Sequence, residues 1–166
     1  MVKYIFDLDH TLYSSNDCVE NDANPLKYYN SFKHKNFLKQ LLSNIEYNKY
    51  ILTNANLAHA KDVLKRLDLS KQFKDIISTD ESKCLKPDPI MYSMAVKRFK
   101  IKPKEVVYFF EDQRDNLLVA KRDFNWVTIL IINEKIAKPA YVDYIFPKIE
   151  DALLFFTIKN KFDKNL

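Results

Sequence analysis

The first strand-like run of the chain ends in a pair of carboxylates. Asp7 and Asp9 follow directly on Val2–Phe6, an apolar run rich in β-forming residues. Alternate residues of an extended chain point the same way, so both carboxylates lie on one side where the strand stops. Two carboxylates this close repel each other unless a proton or a cation separates them. The pair predicts a metal site, an acid–base site, or a turn in which one aspartate caps the next segment.

Two later segments carry groups that suit an anion. Thr53 and Asn54 follow the strand-like run Lys49–Leu52, and a hydroxyl beside free backbone N–H groups can bind phosphate, although Thr-Asn is also ordinary helix-cap chemistry. Lys86 precedes the helix-like stretch Pro89–Phe99, whose dipole favours anions at that end. A lysine there adds positive charge for a phosphate, with a plain surface lysine as the alternative.

A second acidic pair follows another apolar run. Glu111 and Asp112 come directly after Val106–Phe110. If this strand lies beside the first, the acids of both strands converge with Lys86 and Thr53. Oxygen ligands of this kind suit Mg²⁺. Helix capping explains Asp112 locally, but it does not explain why each acidic cluster falls at a strand end.

The elements that must position these groups alternate along the chain. The predicted strands are Val2–Phe6, Lys49–Leu52, Asp75–Ser78, Val106–Phe110, Trp126–Ile132 and Tyr141–Phe146. The predicted helices are Phe32–Glu46, Leu57–Leu67, Pro89–Phe99, Asp115–Phe124 and Ile149–Lys159. This order predicts an α/β, Rossmann-like three-layer sandwich, with a mostly parallel sheet of five or six strands and helices on both faces. In such folds the reactive groups collect at the carboxyl ends of the strands.

Taken in order, the motifs resemble those of a known family. They are Asp7-Leu8-Asp9-His10-Thr11, Thr53-Asn54, Lys86-Pro87, and Glu111-Asp112 with Asn116. The chain resembles the haloacid dehalogenase-like (HAD) hydrolase superfamily, and within it the Mg²⁺-dependent phosphatases. The wording of the motifs is most similar to the pyrimidine 5′-nucleotidase-like branch, and the resemblance covers residues 1–132.

The resemblance implies a catalytic role for each matching residue. Asp7 would be the nucleophile that becomes an aspartyl-phosphate. Asp9 would protonate the leaving oxygen and then activate water. Thr53 and the backbone N–H of Asn54 would hold the phosphoryl group, and Lys86 would neutralise charge on the nucleophile and the phosphate.

The cofactor implied by the resemblance is Mg²⁺. The expected ligands are Asp7, Asp9 through its backbone carbonyl, and Asp112. Glu111 would be an outer-shell or alternative ligand, and Asn116 would support its loop. Attack of a carboxylate on a phosphate brings two anions together, so a cation has to screen their repulsion.

Many members of the family carry a cap domain over the site, and this chain has little room for one. The interval from Thr11 to Phe32 leaves about twenty residues, fewer than an independent domain needs. The interval from Thr53 to Lys86 holds only one predicted helix and one strand. We therefore expect a single domain over the whole chain and an open site without a separate cap.

Two parts of this domain are expected to be irregular, namely a short polar flap at 13–31 and a frayed tail at 158–166. The chain contains no glycine. Turns that need positive φ must then fall to other residues. The asparagines expected there are Asn16, Asn21, Asn24, Asn54 and Asn133.

Composition indicates the class of protein and the cellular compartment that we expect. Hydrophobic residues make up 47% of 166, which suits a globular fold, and no apolar run reaches the length of a membrane span. Cys18 and Cys84 form no disulfide framework, so we expect a cytoplasmic or a nuclear protein, with the cytoplasm as the first expectation. His34 and His59 are expected on exposed helix surfaces.

An open site and a net charge of +5 favour a large anionic partner. The substrates expected are a phosphorylated nucleic-acid end or a phosphoprotein, with no membrane involved and a homo-oligomer possible if a second subunit supplies a lid. Tyr13, Tyr28, Tyr29 and Phe32 could stack on a base or belong to the core.

Three functions fit these observations, of which a phosphomonoesterase without a cap fits best. The second is a small-molecule 5′-nucleotidase whose lid comes from the flap or a partner. The third, from another class, is a phosphate-binding scaffold without turnover. A haloacid dehalogenase proper does not need the metal-binding acids at Asp9 and Asp112.

Overall fold

Strands and helices alternate along the part of the chain that the computed structural model describes, residues 2–18 and 25–163. The strands are β1 (Val2–Phe6), β2 (Asn48–Leu52), β3 (Asp75–Ile77), β4 (Val106–Glu111), β5 (Val127–Ile131) and β6 (Tyr144–Phe146). The helices are α1 (Pro25–Ser31), α2 (Asn36–Ser43), α3 (Leu57–Arg66), α4 (Thr79–Ser82), α5 (Pro89–Arg98), α6 (Arg114–Phe124) and α7 (Ile149–Asp163). A 3₁₀ turn covers Ser15–Asp17.

The strands form one parallel sheet in the order β3-β2-β1-β4-β5-β6. β1 is central, because β2 and β4 pair with its two edges. The backbone N–H of Asp7 donates to Phe110 O at 2.9 Å, and that of Thr53 donates to Ile77 O at 3.0 Å. The chain therefore leaves β1 and β2 at the same edge of the sheet where β4 ends. The predicted α/β fold with a mostly parallel sheet of five or six strands is confirmed, with six strands that are all parallel.

Two apolar cores cover the two faces of this sheet. Tyr4 and Phe6 of β1 belong to one core and Ile5 to the other, as alternation along a strand requires. The first core takes its helical side chains from α2, α3 and α7, and the second from α5 and α6. The result is the predicted three-layer sandwich, in which helix packing on both faces fixes the strand ends that carry the site.

Most predicted boundaries agree with the structure to within a few residues, and the exceptions have a local cause. The predicted helix Phe32–Glu46 begins only at Asn36, because the backbone of Lys35 is not helical (φ −95°, ψ 67°) and its N–H donates to Leu67 O in another segment. The segment expected to be an irregular flap contains α1, while residues 19–24 of that flap lie outside the described chain. The absence of a separate cap domain stays a prediction.

The tail expected to be frayed is helical over most of its length. α7 continues to Asp163, four residues past the predicted helix end, and residues 164–166 lie outside the described chain. Among the described helices, none is both long and apolar enough to cross a bilayer.

The residues with positive φ are not the expected asparagines. In the described chain they are His10, Asp68, Lys83, Lys100, Lys104 and Asn125. Lys83 and Asn125 are the C-cap residues of α4 and α6, and Asp68 and Lys100 each follow the C-cap residue of α3 or α5. Many helices end in a residue with the left-handed conformation, which another residue has to adopt when glycine is absent. Asn16, Asn54 and Asn133 were wrongly predicted, and Asn21 and Asn24 lie outside the described residues.

Loss of the Asp143 carboxylate should destabilise the fold. This carboxylate accepts from the Thr128 N–H at 2.8 Å and from the Lys121 ammonium at 2.8 Å. Burial alone would raise the pKa of Asp143, but the contacts with Lys121 and Thr128 together outweigh it and the pKa lies below its usual range. We expect Asp143→Ala to lower the free energy of unfolding at pH 7 by about 1–3 kcal/mol, measured in urea.

The stabilisation by Asp143 is present above the unfolded-state pKa of an aspartate and is lost as the pH falls through its lower folded-state pKa. The difference between the variant and the wild type should therefore shrink in acid. Asp123→Ala is the control, because Asp123 is exposed and pairs with the adjacent Arg122. Equal effects of the two changes would contradict the assignment.

Candidate active site

All eight residues predicted for the site line one small cavity at the carboxyl edge of the sheet. Its volume is about 140 Å³, and its lining is Asp7, Asp9, His10, Thr53, Asn54, Lys86, Glu111, Asp112, Gln113 and Asn116. The groups come from the ends of β1, β2 and β4 and from the loop before α5. Pockets for drug-sized ligands usually measure about 300–1,000 Å³. This cavity suits a phosphoryl group with an ion and a few waters, and the rest of a substrate would lie outside it.

A buried lysine joins the two acidic strand ends. The Lys86 ammonium donates to Asp7 Oδ1 at 2.6 Å and to Glu111 Oε2 at 2.7 Å. The Lys86 and Glu111 side chains are each 1% exposed and that of Asp7 is 9% exposed. Charges this deeply buried are tolerated only with close partners. The pairing gives Lys86 a fixed place beside the carboxylate predicted to be the nucleophile.

The buried charges of this trio do not balance. Burial, and then the neighbouring Glu111, raises the pKa of Asp7 to about 7 despite the contact with Lys86. Burial also raises the pKa of Glu111. Burial alone would lower the pKa of Lys86, but Asp7 and Glu111 outweigh it and raise that pKa. Two acids share one ammonium, so the site can accommodate a further positive charge.

Glu111 is saturated with hydrogen bonds. Its Oε2 accepts from Lys86 and from Asn116 Nδ2 at 3.0 Å. Its Oε1 accepts from the backbone N–H groups of Asp112 and Gln113, both at 3.1 Å. A carboxylate with four donors has no lone pair left for a metal ion. Glu111 therefore orients Lys86 and the turn after β4, and Asn116 has the supporting contact that was predicted for it.

One oxygen-ligand group in the described chain could hold a cation. Asp7, Glu111 and Asp112 each offer a carboxylate oxygen within 4.8 Å of the others. Because the oxygens of Glu111 are engaged, Asp7 and Asp112 are the side chains best placed to bind. Mg²⁺ commonly takes one or two protein carboxylates and keeps several waters, so this donor set fits it.

The carboxylate of Asp9 is not part of this group, since it turns toward α3. Asp9 Oδ1 lies 2.7 Å from His59 Nε2 and accepts a short hydrogen bond from the Tyr13 hydroxyl. Burial by itself would raise the pKa of Asp9, but the bonds from His59 and Tyr13 outweigh it and lower that pKa. The sequence analysis expected Asp9 to bind Mg²⁺ through its backbone carbonyl, and that contact stays a prediction.

His59 is the site residue that the sequence analysis missed. It was expected on an exposed helix surface, but its side chain is 20% exposed and hydrogen-bonded to Asp9. It lies in the first turn of α3, which begins soon after Thr53 at the same edge of the sheet. The sequence could have predicted that His59 lies near the site, because the first turn of a helix that follows a site strand faces the site.

Thr53 and Asn54 hold the loop after β2 in different ways. Thr53 is fully buried, and its Oγ1 accepts from the Ala55 N–H at 3.0 Å. The Asn54 side chain clamps the backbone of Lys86, donating to Lys86 O at 3.0 Å and accepting from Lys86 N at 2.7 Å. The side chain of Asn54 is therefore a brace for Lys86, which leaves its backbone N–H for the predicted phosphate contact.

The four aromatic side chains proposed as a stacking surface do not form one. Tyr13 and Phe32 are buried in the core, at 3% and 9% exposure. Tyr28 and Tyr29 are half-buried, and their hydroxyl groups lie 3.0 Å from Tyr13 OH and 2.9 Å from His59 Nδ1. The alternative, core aromatic residues, is confirmed for Tyr13 and Phe32.

Curated relatives match part of this chain. It is 35% identical over 71 residues to a phosphorylated carbohydrates phosphatase of Thermotoga maritima, covering 43% of this chain and 32% of that protein. It is 33% identical over 84 residues to (S)-2-haloacid dehalogenase 1 of Pseudomonas sp. (strain CBS-3), covering 51% of this chain and 37% of that one. The chain thus spans about a third of the length of these relatives.

Solved structures share the fold. L-2-haloacid dehalogenase from Xanthobacter autotrophicus has a TM-score of 0.71 at 13% identity, covering 93% of this chain and 97% of that one. An HAD phosphatase from Thermococcus onnurineus has a TM-score of 0.67 at 14% identity, covering 94% and 98%. A family model described as haloacid dehalogenase-like hydrolase matches residues 27–122, more than half of this chain. With the predicted motifs converging on one cavity, this match makes the chain a member of the haloacid dehalogenase-like hydrolases.

Proposed function

We propose that this hydrolase is an Mg²⁺-dependent phosphomonoesterase that works through an aspartyl-phosphate on Asp7. The observation that carries the proposal is the Lys86 ammonium held at 2.6 Å from Asp7 and 2.7 Å from Glu111 beside a cavity of phosphoryl size. A fixed positive charge next to a nucleophilic carboxylate reduces the repulsion between that carboxylate and a phosphate. Asp7 and Asp112 would hold Mg²⁺, which when bound supplies further screening of the same charge.

The residues divide the reaction into two displacements. In the first, a carboxylate oxygen of Asp7 attacks phosphorus, the bond from phosphorus to the leaving oxygen breaks, and Asp9 gives that oxygen a proton. In the second, Asp9 takes a proton from water as the water oxygen attacks phosphorus and the bond to Asp7 breaks. Thr53 and Lys86 line the cavity in which the phosphoryl group would sit throughout.

Relatives of this chain include a dehalogenase, so the leaving group has to be argued from the site. A halide departs without a proton and without a metal ion, so a dehalogenase needs neither an acid such as Asp9 for its leaving group nor a metal-binding carboxylate such as Asp112. Here Asp9 lines the cavity and is held by two donors, and Asp112 lies in the acidic group with Asp7. These features support phosphoryl transfer.

The first test is hydrolysis of 4-nitrophenyl phosphate. We expect turnover in the presence of Mg²⁺, loss of turnover when EDTA is added, and recovery when Mg²⁺ is restored. The protein carrying Asp7→Asn, purified in the same way, controls for contaminating phosphatases. Metal-independent hydrolysis, or release of chloride from 2-chloropropionate without phosphate hydrolysis, would overturn the proposal.

The substrate class is a second part of the proposal. The small cavity and the charge of +5 favour a phosphate at the end of a large anion, such as a 3′- or 5′-phosphorylated oligonucleotide, over a free nucleotide. The competing function is a 5′-nucleotidase that completes its pocket with the flap. Comparing kcat/KM for phosphorylated oligonucleotides, phosphopeptides and nucleoside 5′-monophosphates separates these functions, and a preference for the monophosphates would favour the nucleotidase.

A further inference from the structure

The acid–base carboxylate of the site is held by a chain of side chains that reaches α1. We propose that His59 is a positioning residue for Asp9: together with Tyr13 it holds one carboxylate oxygen, so that the other is presented to the phosphoryl cavity. Tyr29 holds His59 in turn. The inference rests on the proposed function, because it assigns to Asp9 the proton transfer to the leaving oxygen.

Both hydrogen bonds that Asp9 receives from the described residues fall on the same oxygen. Oδ1 lies 2.7 Å from His59 Nε2, and the Tyr13 hydroxyl donates to that same atom. Asp9 also lines the cavity shared with Asp7 and Lys86. With Oδ1 engaged from one side, Oδ2 is the oxygen that can carry a proton to a leaving group.

The donors and acceptors of the network point one way. Oδ1 of Asp9 accepts whether or not Oδ2 carries a proton, so Nε2 of His59 carries a hydrogen and donates to Asp9. In a neutral imidazole the other nitrogen then accepts, and the Tyr29 hydroxyl, 2.9 Å from Nδ1, is placed to donate. The Tyr13 hydroxyl donates its single hydrogen to Asp9. The Tyr28 hydroxyl, whose oxygen lies 3.0 Å from that of Tyr13, is therefore the donor to Tyr13.

The imidazole itself is fixed by packing and by the start of its helix. The backbone N–H of His59 donates to the N-cap residue Asn56 at 2.8 Å. The ring of Tyr28 stacks on the imidazole, with centroids 6.3 Å apart and planes 18° apart. His59 is thus confined between α3 and α1, and the position of the Asp9 carboxylate depends on the seating of α1.

Packing alone does not account for this arrangement. Tyr28 and Tyr29 could fill space as phenylalanine would, yet each hydroxyl meets a side chain that bonds to Asp9. Misplacing a reacting group by about 1 Å can cost about 10²-fold in rate. A positioning role therefore predicts a defect that is specific to proton transfer, whereas a packing role predicts a general loss.

The dependence of kcat/KM on the basicity of the leaving group measures proton transfer by Asp9. Protonation by Asp9 matters little for 4-nitrophenyl phosphate, whose leaving phenolate is stable, and much for phenyl phosphate, whose leaving phenolate is more basic. The ratio kcat/KM covers the steps through departure of the leaving group, so it excludes the later hydrolysis of the aspartyl-phosphate. We expect His59→Phe to lower kcat/KM by about 10-fold or more for phenyl phosphate and by less than about 3-fold for 4-nitrophenyl phosphate.

Two further variants separate positioning from damage to the fold. His59→Gln keeps an N–H donor close to the place of Nε2 and should restore most of the activity on phenyl phosphate. Tyr29→Phe removes one hydroxyl and should give a smaller loss in the same direction. Because Tyr29 acts through His59, that loss should vanish in the double variant Tyr29→Phe/His59→Phe. His34→Phe, at an exposed histidine, is the matched control and should change neither ester.

The outcomes distinguish this inference from the proposed function. If the wild type hydrolyses both esters with Mg²⁺ but His59→Phe slows both equally or neither, His59 does not position Asp9 and the phosphatase proposal stands. Failure of His59→Gln to restore activity on phenyl phosphate also overturns the inference. If the wild type hydrolyses neither ester, the proposed function is wrong and this inference fails with it.

Discussion

Replacement of Asp7 by asparagine should abolish phosphate-ester hydrolysis while the protein remains folded. The amide has nearly the shape of the carboxylate but cannot form the phosphoryl ester. Asp7 is buried at the end of the central strand and receives bonds from Lys86 and, at 3.4 Å, from Thr11. Loss of a nucleophile elsewhere has cost up to about 10⁶-fold in kcat, so we expect a loss on the order of 10⁴-fold or more. Turnover of 4-nitrophenyl phosphate at saturating Mg²⁺ measures it.

The same substitution should change how stability depends on pH. The folded-state pKa of Asp7 is raised from 3.8 to about 7, so between these values the folded protein holds a proton that the unfolded chain has released. Stability contributed by Asp7 in the metal-free protein is therefore lost as the pH rises from about 4 to about 7. Asp7→Asn has no such group.

Thermal unfolding in EDTA at pH 5 and pH 8 tests this sign. Relative to Asp7→Asn, the wild type should lose stability on going from pH 5 to pH 8. Asp115→Asn is a control, because Asp115 is exposed in the first turn of α6. A wild type that gains stability over this interval relative to Asp7→Asn would mean that Asp7 is ionised and well stabilised in the metal-free protein. In the activity measurement, an Asp7→Asn variant that still hydrolyses the ester would show that Asp7 is not the nucleophile.

The sequence was informative about the site wherever the fold leaves little choice. In a parallel sheet, chains that leave neighbouring strands at their carboxyl ends must lie close together. β1, β2 and β4 are neighbours, so the groups at their carboxyl ends, Asp7, Thr53 and Glu111, meet at one edge. Apolar runs of strand length and the amphipathic stretches between them were sufficient to predict this much.

What the sequence did not reveal depends on side-chain directions and on contacts distant in the chain. The Asn54 clamp on Lys86 spans 32 residues, and the His59 contact with Asp9 spans 50. The presence of an asparagine or a histidine in the sequence does not predict which distant residue it contacts. α1 was missed for a related reason, since its tyrosines pack against Phe32 and His59 of other segments, and periodicity within seven residues is too short to predict that.

Removal of the Lys86 charge should damage both catalysis and folding. In Lys86→Met, Asp7 and Glu111 would remain buried without their shared ammonium. Breaking a buried ion pair by removing one partner typically costs about 3–5 kcal/mol, so we expect a loss of that size in the free energy of unfolding at pH 8. Loss of one electrostatic stabiliser of a transition state costs about 10²–10³-fold in kcat, which is the least we expect here.

A second substitution separates these two effects. Without Lys86, the pKa values of Asp7 and Glu111 should rise further, so the deficit of Lys86→Met should be larger at pH 8 than at pH 5.5. Adding Glu111→Gln removes one of the two uncompensated acids and should recover much of the stability, whereas activity should stay lost because the positive charge beside Asp7 is still missing. Urea unfolding in EDTA and turnover with Mg²⁺ measure the two quantities.

Lys97→Met is the matched control, because Lys97 is exposed in the last turn of α5 and its loss should change neither quantity. Stability that is recovered together with activity in Lys86→Met/Glu111→Gln would mean that Lys86 serves only to balance Glu111. Recovery of stability alone would assign two separate functions to one ammonium group: it offsets the burial of Glu111, and it supplies the positive charge that lets Asp7 approach a phosphate.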